Sequence, residues 1–158
     1  MITFTPIGTI YTPFKSLEGM PIQPTGASGV QGQIEIFESY KDGLKDLDGF
    51  SHIILLYHFH ESQGFKLTVT PFLDTESHGL FATRAPKRPN AIGLSIVQLD
   101  RIEVNILTIS NVDVLNGTPL LDIKPYVPTF DAQGNIRVGW LEKAGQAVKN
   151  KKSDGRFA

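Results

Sequence analysis

A chain of 158 residues with 41% hydrophobic and 20% charged residues is long enough to bury one core and ordinary enough to be a single soluble domain. Its net charge of −1 excludes a protein that is basic throughout, so any nucleic-acid partner must be met by a local patch. The absence of cysteine excludes disulfides, thiolate zinc sites and cysteine nucleophiles, and it suits a cytoplasmic protein.

The N-terminus Met1-Ile-Thr-Phe-Thr has no cationic segment followed by an apolar one, so it does not read as a signal peptide. No apolar run approaches the roughly 20 residues of a membrane span. Ile2–Tyr11 is β-branched and aromatic and predicts a strand ending at Thr12-Pro13. The stretch Gly19–Gly32, rich in Gly, Pro, Ser and Gln, predicts a long loop. Gly32–Phe37 alternates apolar with polar, as a half-buried strand does. Glu38–Leu47 has weak helical spacing. Ser51–His60 is apolar on both faces and predicts a central strand covered on both sides. Leu67–Phe72, Leu80–Thr83, Ile92–Ile102, Ile106–Val114 and Leu120–Tyr126 continue the strand pattern, with Glu103-Val-Asn105 as a turn. Trp140–Lys149 predicts a helix with Leu141, Ala144 and Val148 on one side, and the basic tail Lys149–Arg156 follows. The division expected is a β domain over 1–140 and a helix with a basic tail over 141–158. Many short strands predict a mainly β protein, an antiparallel barrel or sandwich with one or two short helices.

The segment Arg84-Ala-Pro-Lys-Arg-Pro-Asn-Ala-Ile-Gly-Leu94 holds three cations and two prolines and no acid. Pro86 and Pro89 lack amide donors and push the residues before them into extended conformations, which opposes a helix. A stiff loop holding Arg84, Lys87 and Arg88 at fixed angles suits an anionic ligand such as a carboxylate or phosphate. A second loop, Asp113-Val-Leu-Asn-Gly-Thr-Pro119, contains Asn116-Gly117, the strongest turn signal in the chain. In the strand after it, Asp122 and Lys124 lie opposite Leu121 and Ile123 and point to solvent or to a site. His58 and His60 leave a predicted strand by one face, but Glu61 points the other way, which argues against a metal site. Gly93-Leu-Ser95 lacks the second glycine of a nucleophile elbow, and no Gly-x-Gly or Gly-Lys-Ser/Thr is present. A nucleotide-like cofactor would therefore sit outside the doubly wound folds.

Taken together, Phe81-Ala-Thr-Arg-Ala-Pro-Lys-Arg-Pro-Asn-Ala-Ile-Gly-Leu-Ser95 and Asp113-Val-Leu-Asn-Gly-Thr-Pro-Leu-Leu-Asp-Ile-Lys-Pro-Tyr126 closely resemble the TsaA-like domain family. The resemblance extends from Ile7-Gly-Thr-Ile-Tyr-Thr-Pro-Phe14 to Trp140. It implies a β-barrel that binds S-adenosylmethionine near the interface of a homodimer. It also implies methylation of N6 of N6-threonylcarbamoyladenosine, beside the anticodon of tRNA, in the cytoplasm and with neither DNA nor a membrane as partner. Carried over by position, the cofactor contacts are Pro13, Phe14, Lys15, His60, Glu61, Arg84, Leu94, Leu115, Asn116, Gly117 and Thr118. Asn90, Asp122 and Tyr126 are the candidates for the catalytic, acceptor side. Lys87, Arg88 and Lys124 are the candidates for RNA contact, with the anticodon loop as the expected partner. A non-catalytic cofactor- or RNA-binding module, or a methyltransferase on another acceptor, stands beside this reading.

Two positions depart from the family pattern. Ala91 stands where proline is common, and Asn116 where aspartate is frequent. The chain also stops soon after the expected barrel, where bacterial members of the family carry a further C-terminal domain, and so is similar to the shorter archaeal form.

Overall fold

Short alternating runs of β-branched residues form the strands, and the computed structural model describes residues 1–16, 28–72 and 74–143 of the chain. Six strands close into an antiparallel barrel. They are β1 (Gly8–Tyr11), β2 (Gln31–Ile36), β3 (His52–His58), β6 (Ile92–Glu103), β7 (Ile106–Ser110) and β8 (Thr118–Pro125), in the order β1-β2-β7-β6-β3-β8. A small ribbon, β4 (Thr68–Val69) with β5 (His78–Gly79), lies outside the barrel. A four-residue helix, α1 (Pro128–Asp131), follows β8. No helix among the described residues is long and apolar enough to cross a membrane.

Period-2 alternation fills the interior. Ile10, Ile34, Ile53, Leu55, Val97, Leu107, Ile109 and Leu120 are fully enclosed. Cross-strand register stacks them, Ile10 opposite Ile34, Ile34 opposite Leu107, and Ile53 opposite Val97. The β6–β7 hairpin turns at Val104, whose φ is 59°. Asn105 clips that turn to β2: its side-chain amide donates to the Ile36 carbonyl at 2.9 Å, and its own carbonyl accepts from the Ile36 amide at 2.9 Å.

The expected mainly β barrel is the observed fold, with several local differences. Residues 2–7 are not strand: the ladders to β2 and β8 begin at Gly8, and Ile7 makes only the flanking backbone bonds to Leu120 and Phe37. Of Leu67–Phe72 only two residues pair, with β5 rather than with the barrel. Leu80–Ala82 is a single 3-10 turn, and Glu38–Leu44 is 3-10 rather than α-helical. The turn at Gly139–Lys143 is also 3-10; the remainder of the predicted Trp140–Lys149 helix, most of the Gly19–Gly32 loop and the basic tail lie outside the described residues.

β3 departs from expectation in an informative way. A barrel wall has one interior face, so Ile53, Leu55 and Tyr57 point inward while Ile54 and Leu56 stay on the outer surface, half-buried. Their neighbours in register on β6 are Ile96 and Leu94, both exposed, with Ile92 one step further along. The result is an apolar stripe on the outside of the barrel.

The enclosed and exposed apolar residues separate in energy. Leu55→Ala, at a site with 0% exposure, is expected to lower stability in urea unfolding by about 3 kcal/mol. Ile2→Ala, at 84% exposure, should leave it within about 0.5 kcal/mol.

Candidate functional site

Strand direction gathers the loop parts of both motifs at one end of the barrel. The C-terminal ends of β1, β3 and β7 and the N-terminal ends of β2, β6 and β8 lie there. Thr12–Lys15, His60, Glu61, the cationic loop and the 111–117 loop all emanate from that end. A shallow depression of about 350 Å³ opens there between Tyr11, Pro13, Lys15, Gln31, Gln33 and Asn116. A larger one of about 510 Å³ lies at the opposite end, lined by the mixed charges Lys41, Asp42, Lys45, Asp46 and Asp48.

The cationic loop is tied to itself. The Nη1 of Arg88 donates to the carbonyls of Thr83 and Ala85, both at 3.0 Å. Thr83 Oγ1 donates to Leu80 O at 2.7 Å and accepts from the Ala85 amide at 3.3 Å. Ala85 is buried beneath, while Arg84 and Asn90 are exposed and Lys87 half-buried. Arg88 also lies 5.9 Å from the ring centre of Phe81, which is 74% exposed. Arg88 is thus first a strut of the loop. A second support comes from Trp140, whose Nε1 donates to Ala82 O at 2.8 Å and whose ring stacks on His78 at 4.7 Å. His78 Nε2 is 2.7 Å from Asp74 Oδ2, and this bond holds the Asp74 carboxyl below the usual range.

The glycine turn is equally constrained. Asn116 Oδ1 accepts from the Thr12 amide at 3.0 Å, and the Asn116 amide donates to Phe14 O at 2.7 Å. Thr12 Oγ1 donates to Val114 O at 2.6 Å, and Thr118 Oγ1 donates to Leu115 O at 2.6 Å. Gly117 has φ 84°, a left-handed conformation that favours glycine. The Pro13–Lys15 and Leu115–Thr118 segments therefore form one bonded unit. Both family departures fit the structure. An aspartate at 116 would supply the same acceptor, and the Ala91 carbonyl, which accepts from Phe59 at 2.8 Å, is one a proline also carries.

Two motif residues without an expected role, Ser95 and Asp113, join the two loops, with Tyr57 of β3 behind them. Tyr57 OH is 2.7 Å from Ser95 Oγ, and Ser95 Oγ donates to Asp113 Oδ1 at 2.7 Å. Because the serine proton goes to Asp113, the tyrosine donates to Ser95. Gly93 makes room for this chain: a Cβ there would fall 2.3 Å from the Tyr57 ring. Burial pushes the Asp113 carboxyl up to about 6, against the opposing effects of the Ser95 bond, a backbone bond and the positive charge of Arg84. Burial raises Tyr57 as well, and the Asp113 charge adds to it.

The remaining candidates are distributed along the wall. Leu94, Leu56 and Asp122 stand abreast on neighbouring strands, on the outer face. Asp122 pairs with Lys124 at 2.9 Å. Tyr126 lies at the far end, its amide bonded to His52 O at 3.1 Å and its ring 6.5 Å from that of His52. Since β3 runs from His52 to His58, about 20 Å of strand separates Tyr126 from the loop end. Within one chain, Lys124 meets the candidate Asp122, while Tyr126 is not brought to the candidates at the loop end. His58 and His60 do not share a face as a strand pair, because β3 ends at His58 and His60 sits in the following turn.

A family model described as the tRNA-methyltransferase O N-terminal domain matches residues 9–132. The chain belongs to this family. It is 52% identical over 157 residues, 99% of this chain and 85% of the other, to a probable S-adenosyl-L-methionine-binding protein of Pyrococcus abyssi. It is 37% identical to a tRNA (adenine(37)-N6)-methyltransferase of Mus musculus, over 84% of this chain and 32% of that protein. A crystal structure of TrmO from Pseudomonas aeruginosa superposes with a TM-score of 0.75 at 37% identity, covering 89% of this chain and 62% of that one. The chain thus spans less than two thirds of that TrmO chain.

The raised Asp113 carboxyl has a consequence for stability. Its folded pKa of about 6 lies above the ordinary 3.8, so folding favours the protonated form, and that contribution is lost as pH rises through about 6. Between pH 4 and 7 the wild type should lose about 2 kcal/mol relative to Asp113→Asn. Urea unfolding of both proteins at the two pH values measures it.

Proposed function

We propose that the chain is an S-adenosylmethionine-dependent tRNA methyltransferase acting on N6 of N6-threonylcarbamoyladenosine beside the anticodon. The observation that carries this reading is the convergence of both family motifs at one barrel end, welded by the Ser95–Asp113 bond. Relatives named as S-adenosyl-L-methionine-binding proteins and as tRNA (adenine(37)-N6)-methyltransferases support it.

The residues present suit the cofactor chemically. Arg84 offers a planar fork for the carboxylate of the methionine part. Leu94, Leu115 and the backbone of the Asn116-Gly117 turn offer apolar and hydrogen-bonding surface for the adenine. Pro13, Phe14, Lys15, His60 and Glu61 border the same end and complete the cofactor set. When bound, S-adenosylmethionine supplies an electrophilic methyl group. The chain's own work is to align the acceptor nitrogen, exclude water and remove a proton. Asp122, a carboxylate on the outer wall two strands from Leu94, is the proposed acceptor of that proton, with Asn90 orienting the nucleoside. Lys87 and the exposed parts of the Arg88 loop supply the basic patch that tRNA phosphates require. Phe81, exposed beside these cations, offers a ring on which a splayed-out base can stack.

The apolar stripe of Ile92, Leu94, Ile96, Ile54 and Leu56 is covered by a second copy of the chain. A twofold axis across it reverses strand direction, so the partner's far end approaches the cofactor end of this chain. That arrangement brings a second Lys124 and Tyr126 towards the site. The reaction and its tRNA place the protein in the cytoplasm.

Calorimetry with S-adenosylmethionine and incubation of labelled cofactor with tRNA, followed by digestion to nucleosides, test this reading. Saturable binding and label in N6-methylated threonylcarbamoyladenosine are expected, and Arg84→Ala should lose cofactor affinity at least tenfold with the fold retained. Label in another nucleoside would point to a different acceptor, and binding without label to a non-catalytic module. Ile96→Lys should shift the protein to monomer in sedimentation and weaken cofactor binding; an unchanged dimer would remove the stripe from the interface.

A further inference from the structure

We propose that Asp113 is the residue that makes this site prefer a sulfonium donor to its neutral thioether product, by placing a half-buried negative charge where the two motifs meet. The inference rests on the S-adenosylmethionine reading above and gives a specificity role to a residue outside the cofactor contacts carried over from the family.

The surroundings of Asp113 have three parts. From β6, Ser95 donates to its carboxylate at 2.7 Å. From β3, Tyr57 sits behind Ser95 and donates to it at 2.7 Å. From the cationic loop, the charge of Arg84 acts on both Asp113 and Tyr57. Each neighbour donates or attracts, so the carboxylate is set up as an acceptor. Yet compensation is incomplete, since burial outweighs all of these and leaves the carboxyl raised to about 6. At neutral pH the protein thus holds an ionised group whose desolvation is only partly offset. A cation bound nearby would supply the balance.

Charge bookkeeping identifies that cation. S-Adenosylmethionine carries a carboxylate, an ammonium and a sulfonium; S-adenosylhomocysteine lacks only the methyl and the sulfonium charge. Arg84 meets the carboxylate in both molecules, so it cannot separate them. A group that senses the sulfonium can. Asp113 lies two residues before Leu115, is bonded to Ser95, the chain neighbour of Leu94, and feels the charge of Arg84, so it joins the segments that carry these three proposed contacts. Glu61, the acid among the carried-over contacts, is exposed, and water and salt screen it. A unit charge about 8–10 Å away in a partly buried setting changes affinity about tenfold. The groups facing Asp113 are an arginine and a buried tyrosine, residue types that keep one charge state between about pH 5 and 7.

The test is calorimetry of the full chain with both ligands, at pH 7 and pH 5, for wild type, Asp113→Asn, Ser95→Ala and Glu61→Gln. The wild type is expected to prefer S-adenosylmethionine about tenfold more than Asp113→Asn does at pH 7, and only about twofold more at pH 5. Asp113→Asn should show one ratio at both pH values, whereas Glu61→Gln, whatever it does to the affinity for both ligands, should retain the pH dependence of the ratio. Ser95→Ala, which removes a bond favouring the carboxylate, should move the midpoint of the change to higher pH. Equal weakening of both ligands in Asp113→Asn would mean a structural role only and would overturn the proposal. So would an unchanged ratio, or a ratio lost in Glu61→Gln instead. Should Asp113→Asn not fold, an unmoved midpoint in Ser95→Ala overturns it alone. Failure of the wild type to bind either ligand defeats the cofactor reading itself, an outcome distinct from binding with an unaltered ratio.

Discussion

The hydrogen bond from Ser95 to Asp113 holds the two halves of the site to each other. At 2.7 Å it connects strand β6, which carries the end of the cationic motif, to the loop that carries the glycine turn. Neither loop has regular secondary structure, so each depends on local bonds for its shape: Arg88 to Thr83 and Ala85 in one, Asn116 and Thr12 in the other. Those bonds make each loop rigid alone. The Ser95–Asp113 link, backed by Tyr57, ties one to the other.

Placing that link in a partly buried position has a physical cost. A carboxylate removed from water without a direct cation partner favours its protonated form, as the upward shift of Asp113 indicates. Natural proteins retain such groups where function requires them, and strongly perturbed carboxyls cluster at sites. Gly93 belongs to the same economy. Its missing side chain lets the Tyr57 ring lie across β6, so this glycine serves the tyrosine rather than the cofactor backbone.

The fold was readable wherever one local pattern had one partner solution. The long alternation of Ile92–Glu103 and the turn at Val104-Asn105 needed nothing beyond sequence, and both are present. The readings that differ share a cause: pairing is non-local. Residues 2–7 have strand composition, yet the ladders to β2 and β8 begin at Gly8. Ser51–His60 looked covered on both faces, but a closed wall offers a single interior, so Ile54 and Leu56 remain outside. In the site, Arg84 and the Asn116-Gly117 turn were visible as cations, prolines and glycine. Tyr57 and Asp113 were not, because the meaning of each depends on Ser95, 38 residues from one and 18 from the other. A serine and an aspartate inside two motifs with no turn or ligand duty of their own were the available signal.

The outer wall then follows from the same constraint. A six-stranded barrel packed with Ile, Leu and Val has no interior room for a ligand, so binding must use an end or the outside. The loops at one end provide polar and charged groups but little concave surface, since the depression there is shallow and open. Leu94 links this end to the apolar stripe, being both a cofactor candidate and the neighbour of Leu56 in register. In the proposed dimer this apolar surface is covered by a second copy of the chain. On that logic the placement of Tyr126 about 20 Å away on the same barrel is no defect of the motif. A strand too long to serve one site from both its ends can serve two, one at each end, once a twofold axis pairs the barrels.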